Sequence, residues 1–196
     1  MTFFINFHSV FYTLRRASAT ASGPFLTQKT MLAFTVISFL LLAGFIVLSG
    51  SLFGGIPGSY SAFSAEWARV CPKVNVWSLV TFAVAFTMFP PMVEAGDGST
   101  FQFLGFFAPL YLIVVAFTPL WDVDRKQRIW HTVGAVLCAA LSLVWLVVIR
   151  GDFGIVAVNL IAGITAGLAT RTLRGSLVFW GEMVMFASVY LSLFIS

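Results

Sequence analysis

The residue best suited to take part in chemistry is Glu182, a carboxylate inside the apolar run that extends from Ser176 to Ser196. Glu182 follows Arg174 by eight residues, which at about 1.5 Å per helical residue corresponds to a depth of about 12 Å. A charged group is costly at that depth in a bilayer, so an ionisable residue inside a span indicates a functional site. Glu182 is therefore the first candidate functional or buried polar residue.

The protonation state of Glu182 depends on the residues at the same depth. Counting inward along the neighbouring apolar runs gives Ala83, Tyr111, Ile113, Cys138 and Thr165, none of which carries a positive charge. Desolvation without a nearby cation favours a neutral carboxylic acid. We expect Glu182 to be protonated at pH 7 and to donate a hydrogen bond to Thr165 or Tyr111.

His131 is the second candidate, and its surroundings decide whether the chain could hold a catalytic metal. Zinc sites use at least three protein ligands, and the only histidines are His8 and His131. His131 with Asp122 and Asp124 would resemble a fragment of ceramidase-type chemistry that lacks the further histidines. We predict no metal and no cofactor, and an intramembrane hydrolase is the least favoured function. The position of His131 beside Trp130 is more typical of an interfacial residue that contacts headgroups.

Two sets of small or weakly polar residues recur at spacings of three or four and therefore share a helix face. The first set is His131, Gly134, Cys138 and Ser142, and the second set is Asn159, Gly163 and Gly167. Gly163 and Gly167 form a GxxxG pair, which lets helices in lipid approach closely. We predict that Gly134, Gly163 and Gly167 act in helix packing and that Asn159 is a buried polar residue.

Composition identifies the setting in which these residues act. The chain has 196 residues, of which 60% are hydrophobic and 9% charged, whereas about a quarter of a soluble domain is charged. This composition predicts an integral membrane protein. The net charge of +4 comes from Lys and Arg in short runs between apolar segments, which argues against nucleic acid as a partner. Two cysteines, Cys71 and Cys138, form neither a disulfide framework nor a ligand set.

The apolar runs predict an all-α polytopic membrane protein, a bundle of about six transmembrane helices in one domain, residues 31–196. The expected spans are residues 31–53, 76–93, 100–121, 129–149, 153–170 and 176–196. Pro90 and Pro91 should end the second span, and Pro109 should kink the third. Residues 54–75 are interpreted as a loop. Tryptophans near the span ends are expected to anchor the protein at the membrane interface; they are Trp77, Trp121, Trp130 and Trp145.

Residues 1–30 form a separate N-terminal segment that is too short in its apolar part to span. Several Phe residues at near-helical spacing precede Arg15 and Arg16, a pattern typical of an interfacial helix. Disorder is the alternative interpretation. Because Met31 directly opens the next apolar run, an upstream start codon would also account for this segment.

The distribution of basic residues predicts the topology, since Lys and Arg are retained on the cytoplasmic side. Three connections carry seven Lys and Arg: the one between the first and second spans, the one between the third and fourth, and the one between the fifth and sixth. The opposite side carries four. Both termini are therefore expected to lie outside the cytoplasm.

Five short segments resemble a group of uncharacterised small six-helix bacterial integral membrane proteins. They are GIPGSYS (55–61), PMVE (91–94), QFLG (102–105), HTVGAVLC (131–138) and FWGEMVMFAS (179–188). The resemblance implies six-helix architecture and a bacterial cytoplasmic (inner) membrane location, and it directs attention to His131 and Glu182. In helix count and in the Pro-Gly-Ser loop the chain is also similar to Frag1/DRAM/Sfk1-like membrane proteins.

Two functions from different classes remain. The first is a non-enzymatic helical module that packs with membrane lipid, with a partner membrane protein or with a second copy of itself. The second is a small proton-coupled carrier that uses Glu182. Carriers are often built from repeats with broken helices at matching places, and Pro109 in the third span has no counterpart in the sixth. The module is therefore the favoured function.

Overall fold

The computed structural model describes residues 27–55, 57–172 and 177–195, and all regular structure in these ranges is helical. The helices are α1 (Gln28–Phe53), α2 (Phe63–Val70), α3 (Val76–Glu94), α4 (Phe103–Ala116), α5 (Arg125–Val148), α6 (Phe153–Thr172) and α7 (Leu177–Phe194). A 3₁₀ turn, Tyr60–Ala62, precedes α2. The prediction of an all-α protein is confirmed for the described residues.

The chain divides into two units, Met1–Met31 and Leu32–Ser196. Most of the predicted N-terminal segment, residues 1–26, lies outside the described residues. The packing described below concerns the second unit.

Among the described residues, three helices, α1, α3 and α5, are long and apolar enough to cross a membrane. Each also exposes large apolar side chains on its outer surface, such as Leu40 (61% exposed), Phe86 (61%) and Val136 (60%). Continuous apolar surface of this kind is unfavourable in water and favourable against lipid. These three helices therefore have the length and the surface that membrane spans require.

Prolines lie near the ends of two helices, and only one of these ends differs from the predicted span. Pro90 and Pro91 lie inside α3, which continues to Glu94. Since a proline removes only its own N–H, the helix persists for another turn, and the amide of Ala95 still bonds to the carbonyl of Pro91. The third predicted span is shorter than expected, since α4 ends at Ala116. Pro119 disfavours helical backbone in the residue that precedes it.

The start of α5 also differs, because it begins at Arg125 rather than at Ile129. Asp124 caps the helix and accepts hydrogen bonds from the amides of Lys126 (2.7 Å) and Gln127 (3.3 Å). A side-chain acceptor at this position satisfies amides that have no partner within the helix. Much of the charged segment interpreted as a connector is therefore the first turn of α5.

The segment between α1 and α3 is folded, and its residues 60–67 are largely buried, which corrects its interpretation as a loop. Its apolar residues Tyr60, Phe63 and Trp67 are spaced like a helix face, and all three rings contact Phe45 of α1 at centroid distances of 5.9 to 6.0 Å. The indole N–H of Trp67 donates to the hydroxyl of Ser49 at 2.9 Å. The segment is therefore fastened to α1 by ring packing and by a buried hydrogen bond.

Helices α3, α4 and α5 pack closely through glycines. A Cβ atom at Gly105 of α4 would lie 2.3 Å from the carbonyl oxygen of Met92, and one at Gly134 of α5 would lie 3.2 Å from that of Tyr111. The indole of Trp145 donates to the carbonyl of Met92 at 3.1 Å. Glycine is required where two backbones approach this closely.

The expectation that four tryptophans lie at the membrane interface is wrong for Trp77 and Trp145, which are 0% exposed. Both are large rings at positions where several helices meet, so they fill the core instead. Trp130, by contrast, is 63% exposed.

One end of the bundle, here called the loop end, contains residues 57–75, residues 117–124 and the start of α7. These segments contact one another directly: the Ser64 hydroxyl donates to the Pro119 carbonyl at 3.1 Å, and the Phe179 amide donates to the Gly58 carbonyl at 3.2 Å. At the opposite end, Arg150 donates to the Ser192 hydroxyl at 3.0 Å, and that hydroxyl contacts Asp152. Different sets of hydrogen bonds therefore connect the segments at the two ends of the bundle.

Candidate functional site

The bundle contains a partly open cavity of about 350 Å³ between α3, α4, α5, α7 and the Tyr60 turn. Most of its lining is apolar, as in Met88, Met92, Leu112 and Val189. The described polar residues that line it are Tyr60, Ser61, His131, Cys138, Ser142 and Glu182. Apolar cavities with a few polar groups are the usual form of small-molecule sites. The cavity therefore brings together Glu182 and His131, the two residues that the sequence singled out first.

Glu182 lies on the second turn of α7 and is half-buried. Its Oε2 accepts a hydrogen bond from the backbone amide of Tyr60 at 2.6 Å. The structure thus gives Glu182 a different partner from Thr165 or Tyr111, and the carboxyl group accepts rather than donates in this contact. Depth along neighbouring helices could not anticipate this partner, because Tyr60 belongs to a segment that was interpreted as a loop.

Tyr60 connects this contact to α3. Its hydroxyl lies 2.9 Å from Oγ1 of Thr81, and its ring contacts Trp77 and Phe186 at centroid distances of 5.8 and 6.0 Å. Burial raises the pKa of the Tyr60 hydroxyl, and the hydrogen bond to Thr81 only partly offsets that effect. Tyr60 is therefore uncharged at neutral pH, and it holds its backbone amide in position for Glu182.

His131 is 6% exposed, so the expectation that its ring contacts lipid headgroups is wrong. The ring stacks on Trp121 at a centroid distance of 5.1 Å and also contacts Trp77 at 6.1 Å. Two indoles shield the imidazole because α3 and residues 117–124 both pack over the start of α5. The indole N–H of Trp121 in turn donates to the carbonyl of Ser61, beside Tyr60, at 3.3 Å.

The contacts of Thr118 hold the imidazole of His131. Oγ1 of Thr118 lies 2.8 Å from the carbonyl of Val115, 3.2 Å from that of Val114 and 3.0 Å from Nδ1 of His131. A hydroxyl that donates its one proton to a carbonyl accepts from Nδ1–H of the imidazole. In that tautomer Nε2 is left as a hydrogen-bond acceptor.

The remaining candidate residues lie elsewhere. Asn159 on α6 is half-buried and Thr165 on α6 is exposed, and neither belongs to the described lining of the cavity. Tyr111 is half-buried on α4, where its carbonyl lies against Gly134. The packing of Gly163 and Gly167 lies outside the described residues, so their role stays a prediction.

The acidic residues near His131 do not converge on it. Asp122 and Asp124 are exposed, and Asp124 caps α5. Across residues 27–55, 57–172 and 177–195, no three His, Cys, Asp or Glu side chains are grouped as a metal site would require. The polar groups of the cavity can accept and donate hydrogen bonds and exchange protons.

Sequence reasoning missed Tyr60 and Ser61 as site residues. A usable signal was present, because Tyr60, Phe63 and Trp67 recur at spacings of three and four, which is typical of a buried helical face. The Gly and Pro residues just before them favoured the loop interpretation.

In the part of the chain that the structure describes, all regular structure is helical, three helices are suited to cross a membrane, and a largely apolar, partly open cavity lies between helices. No protein-family model, curated protein or solved structure gives a significant match to this chain.

Proposed function

We propose that residues 31–196 form an integral membrane domain with six spans. Helices α1, α3 and α5 have the length and hydropathy of membrane spans. α6 has 20 residues and α7 has 18. α4 has only 14 residues, but turns with local hydrogen bonds extend it at both ends, from Ser99 to Gln102 and from Val115 to Thr118. Backbone of this kind is tolerated at membrane depth where neighbouring helices bury it.

Within this domain, we infer a non-enzymatic module that binds a lipid-like molecule inside the bundle. The cavity supports this function best, because it is largely apolar and carries its charged group, Glu182, at the end nearest Tyr60. An amphiphilic molecule has the same division into an apolar and a polar part. The other partners in keeping with this architecture are bulk membrane lipid, another membrane protein and a second copy of the chain.

The proposed location is the bacterial cytoplasmic membrane, with both termini outside the cytoplasm. The location is supported by the resemblance of five segments to small bacterial membrane proteins, and the orientation by the excess of basic residues in the connections at the loop end.

The module proposal is tested by identifying the lipids that co-purify from native membrane. Gly181 lines the cavity, and a Cβ there would meet nothing within 4 Å, so Gly181→Leu fills the space without a backbone clash. Mass spectrometry should detect a single-chain hydrophobic molecule with the wild-type protein and a much smaller amount with Gly181→Leu. Identical lipid content in the two proteins would contradict the proposal.

A proton-coupled carrier is the second candidate, and one observation favours it: Glu182 lines a cavity rather than lipid-facing surface. A carrier must open this site alternately to both sides of the membrane. Proteoliposomes with an imposed pH gradient test this directly. Proton-driven uptake of a solute that is lost in Glu182→Gln would favour the carrier over the module.

A further inference from the structure

The shape and polarity of the cavity restrict the molecule that it can hold. Its lining extends along α5 from His131 to Ser142 and along α7 from Val178 to Val189, which corresponds to about 16 Å on each helix. A volume of about 350 Å³ with a lining of this length suits one extended hydrocarbon chain.

Two of the polar groups at the loop end of the cavity can accept hydrogen bonds from a ligand. Glu182 is a carboxyl group whose Oε2 already accepts from the Tyr60 amide. His131 also lines this end, and its Nε2 is an acceptor in the tautomer whose Nδ1–H donates to Thr118. Both residues lie near the starts of their helices, α7 and α5, and the contacts of Tyr60, Ser61 and Trp121 connect them.

No cation accompanies these acceptors, since the described lining of the cavity includes neither Lys nor Arg. A carboxylate in an apolar site requires a positive charge or a proton, and the proton is the form expected for Glu182 without a ligand. A ligand with a cationic head would supply that charge, whereas an anionic head would be repelled.

We propose that the cavity takes a single-chain amphiphile with a protonated primary amine, whose ammonium group pairs with Glu182 and donates a hydrogen bond to Nε2 of His131. The hydrocarbon chain extends away from the loop end, between Leu112, Ala139 and Val189. This assignment rests on the proposed function and adds the chemistry of the head group to it.

The test uses the full-length protein in nanodiscs of phosphatidylcholine, with empty nanodiscs as the background. Three probes of equal chain length are compared by native mass spectrometry: tetradecylamine, tetradecanol and tetradecanoic acid. Wild-type protein should retain one tetradecylamine with an affinity at least about 10-fold higher than for the alcohol, because the charged head group adds an ion pair to the hydrogen bond that the alcohol also makes. The acid should bind most weakly.

Two variants locate the interaction. Glu182→Gln should remove the preference for the amine over the alcohol, since the amide is neutral and of similar size. Gly181→Leu should weaken binding of all three probes, because it fills the cavity. Amine binding no tighter than alcohol binding, or an amine preference that survives Glu182→Gln, would overturn the assignment.

The same experiment separates the two levels of the proposal. If the three probes bind equally and Gly181→Leu weakens all of them, the cavity holds a chain and the amine assignment is wrong. If Gly181→Leu changes the binding of none, the probes do not occupy the cavity, and both the proposed function and the amine assignment are overturned.

Discussion

At the scale of single residues, the contact between Glu182 and Tyr60 links parts of the chain that are 122 positions apart. It uses a backbone amide, which is present whatever side chain occupies position 60. The side chain of Tyr60 instead fixes the position of that amide through Thr81 and Trp77. Substitution of Glu182 and substitution of Tyr60 should therefore disturb the same contact by different routes.

The Glu182 contact predicts different stabilities for two substitutions. Glu182→Gln keeps an oxygen that can accept from the Tyr60 amide, so its free energy of unfolding should stay near the wild-type value. Glu182→Leu leaves that amide without its acceptor and should lower the free energy of unfolding by about 1–3 kcal/mol. Denaturant titrations in detergent, followed by tryptophan fluorescence, measure both. Equal losses in the two variants would mean that the charge matters more than the hydrogen bond.

At the scale of elements, the crossing of α3 and α4 is set by the contact of Gly105 with the Met92 carbonyl. Trp145 of α5 bonds to that same carbonyl. The Met92 carbonyl of α3 therefore contacts both neighbouring helices, α4 and α5. The arrangement leaves no room for a side chain on α4 at this point.

Alanine substitution should have different effects at this crossing and at Gly181, on the cavity-lining face of α7. Gly105→Ala would place a methyl group 2.3 Å from the Met92 oxygen, so the helices must separate, at a cost of about 1–3 kcal/mol in unfolding free energy. Gly181→Ala meets nothing within 4 Å and should be neutral or stabilising by up to about 1 kcal/mol, because alanine favours helix. Thermal unfolding in detergent compares them. A Gly105→Ala variant as stable as Gly181→Ala would show that α3 and α4 can move apart without a loss of stability.

The helices were predictable to the extent that their signals are local. Apolar runs such as residues 31–53 and 153–170 gave helices close to their observed bounds, because hydropathy alone identifies a long apolar helix. The burial of residues 60–67 was not predictable in this way. It depends on Phe45 and Ser49 of α1, and contacts between distant residues leave no periodic pattern of their own.

The candidate site was likewise predictable only where its signals are local. Glu182 and His131 were found from the sequence because an ionisable residue is conspicuous in an apolar run. Their surroundings were assigned incorrectly, since counting residues gives depth along a helix but not the direction in which a side chain points. The cavity itself is produced by the packing of four helices and a turn, so no single stretch of sequence predicts it.

At the scale of the whole molecule, the two ends of the bundle differ in charge and in structure. The loop end carries folded residues 57–75 and the capped start of α5, with Arg125, Lys126 and Arg128 on its surface. The opposite end carries the Arg150, Ser192 and Asp152 contacts. If the bundle spans a membrane, the positively charged loop end should face the cytoplasm.

Cysteine labelling tests this orientation and whether α3 spans the membrane. Lys73 at the loop end and Asp97 beyond the other end of α3 are both exposed, so Lys73→Cys and Asp97→Cys, each in a background with Cys71 and Cys138 changed to Ser, should both react readily. A membrane-impermeant maleimide should label position 97 in right-side-out vesicles and position 73 in inverted vesicles. The reverse pattern would mean that the termini are cytoplasmic, and labelling of both positions from one side would mean that α3 does not span the membrane.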